Sequence, residues 1–278
     1  MKFIDWNHQA NMIQDYLDEQ LHHSFLQEYI KEPTVDRDRI YFLLLPFSEA
    51  DMSSRQEIVQ WISTAMLLQV ALDTHEKVTV SDEESLLERQ LTVLAGVYFS
   101  SLYYKILAKV DNVSLIRKLA RAITDINESK ISIYKKEESD MESLLENIRI
   151  MESSIISHFL SFFHQESWIP LVEEVLLFKK LVGEKQSLAN RGTTPFIESV
   201  VEIHFSKNMK SESPLLLSQE QATMVSSILD ELLIQSKNEI LYQLEQVKSE
   251  SPFIYSQILK LVEQSYTMPQ MKLYAEEG

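Results

Sequence analysis

The chain has 278 residues, of which 45% are hydrophobic and 24% are charged, and its formal net charge at pH 7 is -16. These values are typical of a globular protein with a sizeable core, and the acidic excess argues against binding to a nucleic-acid phosphate backbone. The absence of cysteine excludes disulfides, thiol catalysis and cysteine-based zinc sites. The 4 glycines leave little for hairpins or phosphate-binding loops.

Helix-start signals divide the chain into segments, and apolar periodicity agrees with that division. At four predicted helix starts a serine is followed three residues later by Glu or Gln, which is the spacing of a capping box, and at two more, behind Thr194 and Ser251, a proline directly follows the hydroxyl residue. Polar stretches over 183–194 and 206–214 predict loops. The sequence therefore predicts an all-α chain. The serines are Ser53, Ser81, Ser139 and Ser218, the prolines are Pro195 and Pro252, and the helices are predicted over about 5–30, 56–72, 86–107, 113–134, 141–162, 168–182, 195–207, 218–247 and 252–266.

The chain shows no repeat of fixed period and no linker that requires two domains. We expect a single helical domain over 1–278, with a core over about 40–182 and looser C-terminal helices over about 195–278. Two helices, over 56–72 and 86–107, are apolar on nearly every face, which predicts that they are surrounded by other helices or by a partner chain.

Gly96 lies inside the second of these apolar helices, where small neighbours make a narrow face that another helix can approach closely. Packing within the chain and a dimer seam both explain this face. The aromatic residues around it favour a core over the wall of a ligand tunnel, although a tunnel uses the same kind of helix. The small residues are Ala95, Ser100 and Ser101, and the aromatic residues are Tyr98, Phe99, Tyr103 and Tyr104.

The stretch ALDTHEKVT, residues 71–79, ends the first apolar helix and brings Asp73, His75 and Glu76 close together in sequence. A divalent cation needs several oxygen ligands that converge on one face, whereas here Lys77 shares the face of the acids. A solvated helix end explains the stretch without a metal. Neither a signal-peptide core nor an apolar run of the ~20 residues that span a bilayer is present, which predicts a soluble, cytoplasmic chain without a transmembrane segment.

Three strings carry a resemblance to a known family. ALDTHEKVT, RQLTVLAGVYFSSLYYKIL and IRKLARAITDINESKI occur in this order and closely resemble the small subunit, component 1, of bacterial heterodimeric heptaprenyl diphosphate synthase. The resemblance runs from about residue 40 to 180 and is dense over 64–134. That subunit is similar to the trans-isoprenyl diphosphate synthases, which implies an antiparallel helical bundle around a deep cavity. Val97 departs from the family pattern, which usually has aspartate there, and leaves a more apolar helix.

Active members of that fold bind an allylic diphosphate through Mg²⁺ held by two aspartate-rich motifs, the first of which reads H-D-D-x-x-D. If His75 matches the histidine, the three carboxylate positions fall on Glu76, Lys77 and Val80. One acid of three remains, and Lys77 repels the cation. The resemblance therefore implies a relict motif, with no catalytic residue and no metal ligand in this chain, and with Mg²⁺ in a large catalytic subunit.

Three other motifs of the active enzymes also lack their counterparts. The basic motif G-G-K-R-x-R corresponds to VDRDRIYFLL, which has two arginines but no glycine pair, and the Lys-Thr pair falls on residues that offer neither a cation nor a hydroxyl. The second aspartate-rich motif has its nearest counterpart in LLFKKLVGE, where lysines lie close to the expected acids. The residues at these positions are Arg37 and Arg39, Met151 and Glu152, and Lys179 and Lys180.

The resemblance implies a non-catalytic, regulatory subunit that pairs with a large catalytic subunit to condense farnesyl diphosphate with isopentenyl diphosphates for the menaquinone side chain. The isolated chain is expected to be inactive, and the complex to lie in the cytoplasm or peripherally at the membrane. The alternatives are an autonomous homodimeric prenyltransferase with an altered metal site and a helical adaptor unrelated to prenyl synthesis. We expect a partner interface at Thr92, Gly96, Phe99, Ser100 and Tyr103, and a product-tunnel wall at Met66, Leu67, Val70 and Ala71.

Overall fold

The computed structural model describes residues 5–48, 55–78, 85–110, 112–205 and 217–266. Within these ranges the chain forms eleven α-helices and two short 3-10 turns, Leu45–Phe47 and Glu166–Trp168, and no strand. The all-α prediction is confirmed. The helices are α1 (Trp6–Leu21), α2 (Ser24–Gln27), α3 (Arg37–Leu44), α4 (Arg55–Glu76), α5 (Leu86–Val110), α6 (Val113–Lys135), α7 (Met141–Phe162), α8 (Ile169–Ala189), α9 (Pro195–Phe205), α10 (Gln219–Val247) and α11 (Pro252–Tyr266).

Contacts along the chain divide it into two compact units, each made of two segments. The first comprises residues 1–122 and 155–166, and the second comprises 123–154 and 167–278. Neither unit coincides with the predicted core over 40–182 or with the predicted C-terminal helices over 195–278. The expectation of a single domain stays a prediction.

The first unit is built on α4, which packs along α5 and also against α1 and α3. An aromatic cluster lies against the N-terminal half of α4, where Trp61 is located. Phe47, Trp61, Phe159 and Phe163 have ring centroids 4.9–6.4 Å apart wherever two of these rings make contact. All five of these pairs are tilted or edge-to-face, and the edge-to-face arrangement is one that aromatic rings prefer. The cluster ties α4, the first 3-10 turn and the end of α7 together.

The second unit is built on α8 and α10, which pack together, with α9 against both and α11 against α10. The face of α8 that is buried here includes Leu181, Glu184 and Leu188. Their spacing of three and four residues continues the buried face of the helix beyond Gly183. The predicted loop over 183–194 is therefore wrong in its first half, because Gly183 lies inside the helix rather than after it.

The capping predictions have mixed outcomes. The Ser218 capping box and the Thr194 and Ser251 caps are confirmed, since each hydroxyl accepts a hydrogen bond from the backbone N–H three residues later. The Ser139 box is wrong, because Asp140 caps α7 and accepts from the Ser143 N–H at 2.9 Å. This hydrogen bond lowers the pKa of Asp140. Ser53 and Ser81 lie outside the described residues.

Two predicted helices have other bounds in the structure. The helix predicted over 56–72 is α4, which continues to Glu76. The first predicted helix is broken at His22, and the His23 ring caps α2 by accepting from the Leu26 N–H at 3.3 Å. Helix α3 was not predicted, because residues 40–45 are buried on every face and show no period that distinguishes a helix from a strand.

Helix α5 is, by length and composition, apolar enough over Leu86–Lys109 to cross a membrane. Half of its most apolar window is buried inside the fold. Among the described residues it is the one helix that is long and apolar enough for a membrane span.

Candidate functional site

The site indicated by the sequence lies at the C-terminal end of α4. His75, Glu76 and Lys77 are exposed there, whereas Thr74 is buried and donates its hydroxyl to the Val70 carbonyl oxygen at 2.7 Å. Asp73 is half-buried and accepts from the Gln69 side chain at 2.7 Å. The described residues contain no group of three His, Asp or Glu side chains able to hold a metal ion. Val80 lies outside the described residues.

The imidazole of His75 packs directly on Gly96 of α5. A Cβ atom placed on Gly96 would lie 2.5 Å from Cε1 of His75 and 2.7 Å from both ring nitrogens, which is closer than van der Waals contact permits. Gly96 is therefore the point where α5 accommodates the end of α4. Of the two interpretations of the narrow face, packing within the chain is the one for which the structure supplies the contact.

Gly96→Ala is expected to stabilise the chain less than an ordinary glycine-to-alanine change inside a helix, which gains about 0.5–1 kcal/mol. The new methyl group forces the exposed His75 ring out of its contact, and this loss offsets the gain in helix propensity. Urea unfolding of wild type, Gly96→Ala, His75→Ala and the double variant measures the coupling, expected at roughly 0.5–1 kcal/mol.

Gly183→Ala in α8 is the matched control for this cycle, because a Cβ atom there meets nothing within 4 Å. It should give the full gain in stability and show no coupling to His75→Ala. Equal gains at Gly96 and Gly183 would contradict the packing of His75 on Gly96.

A polar network leads from α3 towards the same end of α4. Arg39 is buried, donates to the Gln69 side-chain oxygen at 3.3 Å and lies 3.7 Å from a carboxylate oxygen of Asp36. Arg37 donates to the Tyr41 hydroxyl at 2.8 Å and to the Asn11 side-chain oxygen of α1 at 2.7 Å. Both arginines of the degenerate basic motif are therefore engaged in contacts that hold α3 in the first unit.

A cavity of about 180 Å³ is lined by Lys77, one of the four residues of the relict motif, which we define as His75, Glu76, Lys77 and Val80. Its wall combines apolar side chains with two lysines and one glutamate. The Glu88 carboxylate accepts from the Ser85 backbone N–H at 2.9 Å, and this bond lowers the pKa of Glu88. The lining residues are Tyr29, Ile30, Lys31, Pro33, Thr74, Lys77, Glu88, Thr92 and Phe99.

Solved structures share this architecture. Heptaprenyl diphosphate synthase from Staphylococcus aureus matches with a TM-score of 0.68 at 12% identity, covering 96% of this chain and 99% of that one. Octaprenyl pyrophosphate synthase from Helicobacter pylori matches with a TM-score of 0.64 at 13% identity, covering 92% and 98%. The chain has the fold of the trans-prenyl diphosphate synthases, as the resemblance implied.

The sequence comparisons decide the family within that fold. The family described as heptaprenyl diphosphate synthase (HEPPP synthase) subunit 1 matches residues 23–234. The chain belongs to this subunit 1 family. Heptaprenyl diphosphate synthase component 1 of Geobacillus stearothermophilus is 36% identical over 149 residues, which are 54% of this chain and 67% of the relative. The relict motif lies inside the matched range, so the departure from H-D-D-x-x-D occurs in a chain with a clear family assignment.

The structure places most of the expected interface residues of this subunit 1 chain inside the first unit. Thr92, Gly96, Phe99 and Tyr103 are buried, and Ser100 is half-buried and donates to the Gly96 carbonyl oxygen at 2.9 Å. Burial raises the pKa of Tyr103 to about 12. This face of α5 is used for contacts within the chain. Because both faces of α5 are apolar, the sequence alone left packing within the chain and a dimer seam equally open.

The expected tunnel residues lie together on α4. Met66, Leu67, Val70 and Ala71 are all buried in the core of the first unit. None of the four is part of the cavity lining described above. Their role as a tunnel wall stays a prediction.

In the second unit, the position of the second aspartate-rich motif falls on the middle of α8. Lys180 lies 3.2 Å from the carboxylate of Glu184, which is buried and accepts from the Thr194 hydroxyl. Glu184 thus joins α8 to the start of α9. The acid that remains in this region holds two helices together.

Proposed function

We propose that this chain is a non-catalytic, regulatory subunit of a hetero-oligomeric heptaprenyl diphosphate synthase. With a large catalytic subunit, it would condense farnesyl diphosphate with isopentenyl diphosphates to make the precursor of the menaquinone side chain. The observation that carries the proposal is the exposed end of α4. The motif that active members of the fold use for Mg²⁺ has here one acid, Glu76, and a cation, Lys77.

The ligand chemistry of Mg²⁺ supports this interpretation. The ion requires near-octahedral oxygen coordination, and in phosphate-transferring sites one or two carboxylates hold it together with the substrate phosphates. The ammonium group of Lys77 beside Glu76 offsets the negative charge of the one acid that remains at the motif positions. The residues at this position do not fit Mg²⁺, so we place the metal in the large subunit.

The contacts of the basic residues point in the same direction. A diphosphate site needs cations that are free to form hydrogen bonds with phosphate oxygens. Arg37 and Arg39 instead hold α3 through Tyr41 and Gln69. We therefore assign substrate binding to the large subunit.

We also propose that the complex lies in the cytoplasm or peripherally at the membrane.

The test is prenyl transfer by purified components with Mg²⁺, farnesyl diphosphate and radiolabelled isopentenyl diphosphate. We expect no product from this chain alone, little from the aspartate-rich large component of the same genome alone, and heptaprenyl diphosphate from the mixture. Product length is read by chromatography after dephosphorylation. Metal-dependent turnover by this chain alone would support the autonomous enzyme and overturn the proposal.

A further inference from the structure

The charges of this chain are distributed unevenly along the sequence. The whole chain has 26 Lys and Arg residues against 42 Asp and Glu residues, which gives the formal net charge of -16. Between residues 89 and 124, however, six residues are Lys or Arg and only Asp111 is acidic. A basic stretch of this length in an acidic chain predicts a local positive surface that attracts anions, although the molecule as a whole repels them.

Most of these cations lie on either side of the turn between α5 and α6. Lys105 and Lys109 are exposed on the last two turns of α5, and Arg117 and Arg121 are exposed on the first half of α6. Residues four apart share a helix face, so each pair forms a short basic row along its helix. Val113 is 54% exposed and begins the row that Arg117 and Arg121 continue. We call these five residues the α5–α6 corner.

The α5–α6 corner lies at the end of the first unit that is remote from the relict motif. The C-terminal end of α4 lies beside the first half of α5, where His75 packs on Gly96. Lys109 follows Gly96 by about 20 Å along the axis of α5. On α6, Lys118 donates to the hydroxyl of Ser161 at 3.1 Å, in the part of α7 that contributes a ring to the aromatic cluster. The corner is therefore at the aromatic-cluster end of this unit.

Screening decides whether this corner can act independently of the acidic remainder of the chain. The Debye length is about 8 Å at physiological ionic strength, so acidic residues further away than this hardly repel an anionic surface that touches the corner. Each Lys or Arg near an anionic lipid surface strengthens binding by about five-fold. A lipid surface meets the corner alone, whereas an extended polyanion such as a nucleic acid also meets acidic parts of the chain. The charge pattern therefore favours an anionic membrane.

We propose that the α5–α6 corner binds the anionic headgroups of a lipid bilayer and holds this subunit at the membrane surface. The inference rests on the proposed function, which places the complex in the cytoplasm or peripherally at the membrane, and it names the surface that makes the peripheral contact. The ammonium and guanidinium groups donate hydrogen bonds to lipid phosphates. The exposed side chain of Val113 enters the headgroup region beside them, as apolar residues of membrane-surface helices do.

Cosedimentation with vesicles tests this proposal on the full chain and on its complex with the large component. Both are expected to bind phosphatidylcholine vesicles that contain phosphatidylglycerol and not vesicles of phosphatidylcholine alone. The double variant Lys105→Gln/Lys109→Gln should bind about 25-fold more weakly, because two cations are removed. The matched control is Lys31→Gln/Lys77→Gln, which removes the same charge at two exposed lysines beside the cavity and should bind as wild type does. Circular dichroism verifies that both variants are folded.

Three results would overturn the inference: no vesicle binding by the wild-type chain, equal losses in the two double variants, and binding by the chain alone that is lost in the complex. The second means that net charge alone decides binding, and the third means that the large component covers the corner. Prenyl transfer by the mixed components is measured separately without vesicles. Transfer that needs both components, together with any of these three results, would leave the proposed function intact.

A fluorescent probe gives a second measurement that leaves every charge in place. Because the chain has no cysteine, Val113→Cys and Leu86→Cys each introduce one thiol at an exposed position, the first in the corner and the second at the opposite end of α5. With an environment-sensitive fluorophore on the thiol, anionic vesicles are expected to shift the emission of the Val113→Cys conjugate to the blue and to leave that of the Leu86→Cys conjugate unchanged. Equal shifts at both positions would overturn the corner as the membrane-binding surface.

Discussion

Replacing Phe159 with alanine is expected to destabilise the first unit by roughly 3–5 kcal/mol, the usual cost of removing a buried phenyl ring. Phe159 is fully buried, and its ring centroid lies 4.9 Å from that of Phe163 and 6.4 Å from that of Phe47. The two rings that contact Phe159, those of Phe47 and Phe163, also contact Trp61 on α4, so a rearrangement around the cavity reaches α4. Urea unfolding followed by tryptophan fluorescence measures the loss.

The same variant should assemble poorly with the large component. Helix α4 ends with His75 and Glu76 of the relict motif and packs along α5, so a shift in α4 also displaces α5. Phe25→Ala is the matched control, because Phe25 is 50% exposed and contacts the Tyr29 ring at a centroid distance of 5.2 Å. Its loss should stay below about 1 kcal/mol. Equal losses for both variants would contradict a core role for Phe159.

Those parts of the fold that depend on local signals follow from the sequence. The apolar stripe over 141–162 and the predicted helix over about 252–266 correspond to α7 and α11, and the Ser218 cap forms as the spacing requires. Helix ends are set by hydroxyl and carboxylate side chains within three residues, so they are legible without tertiary information. The error at α7 is of the same local kind, since Asp140 competes with Ser139 for one cap position and accepts the hydrogen bond.

The sequence supports a prediction about the chemistry of the site, whereas the contacts of the site depend on tertiary packing. Lys77 beside Glu76 argues against a metal from sequence alone. The contact between His75 and Gly96 joins residues 21 positions apart and depends on how α4 and α5 cross. The sequence also does not show which face of α5 is exposed, because a helix that is apolar on every side has no face that the pattern marks as buried. Exposure in the folded chain is what distinguishes Leu94 from Phe99.

In the second unit, Arg149→Met is expected to destabilise the chain by about 3 kcal/mol, because it leaves a buried carboxylate without its cation. Arg149 of α7 lies 3.3 Å from the buried Glu174 of α8 and 2.9 Å from Glu146. Burial lowers the pKa of the Arg149 guanidinium, but Glu174 and Glu146 together outweigh this effect and raise the pKa above its usual value, so the group stays charged. Thermal and urea unfolding of the variant measure the effect.

Two further variants decide whether the buried charge is the cause. Glu146→Gln removes a carboxylate whose side chain is 60% exposed and should cost less than about 1 kcal/mol. Arg149→Met combined with Glu174→Gln removes both charges and should recover much of the stability lost in Arg149→Met, since an uncharged amide is far less costly to bury than a lone carboxylate. If the double variant is as unstable as the single one, the loss comes from packing of the arginine stem, and the ion pair does not hold α7 to α8.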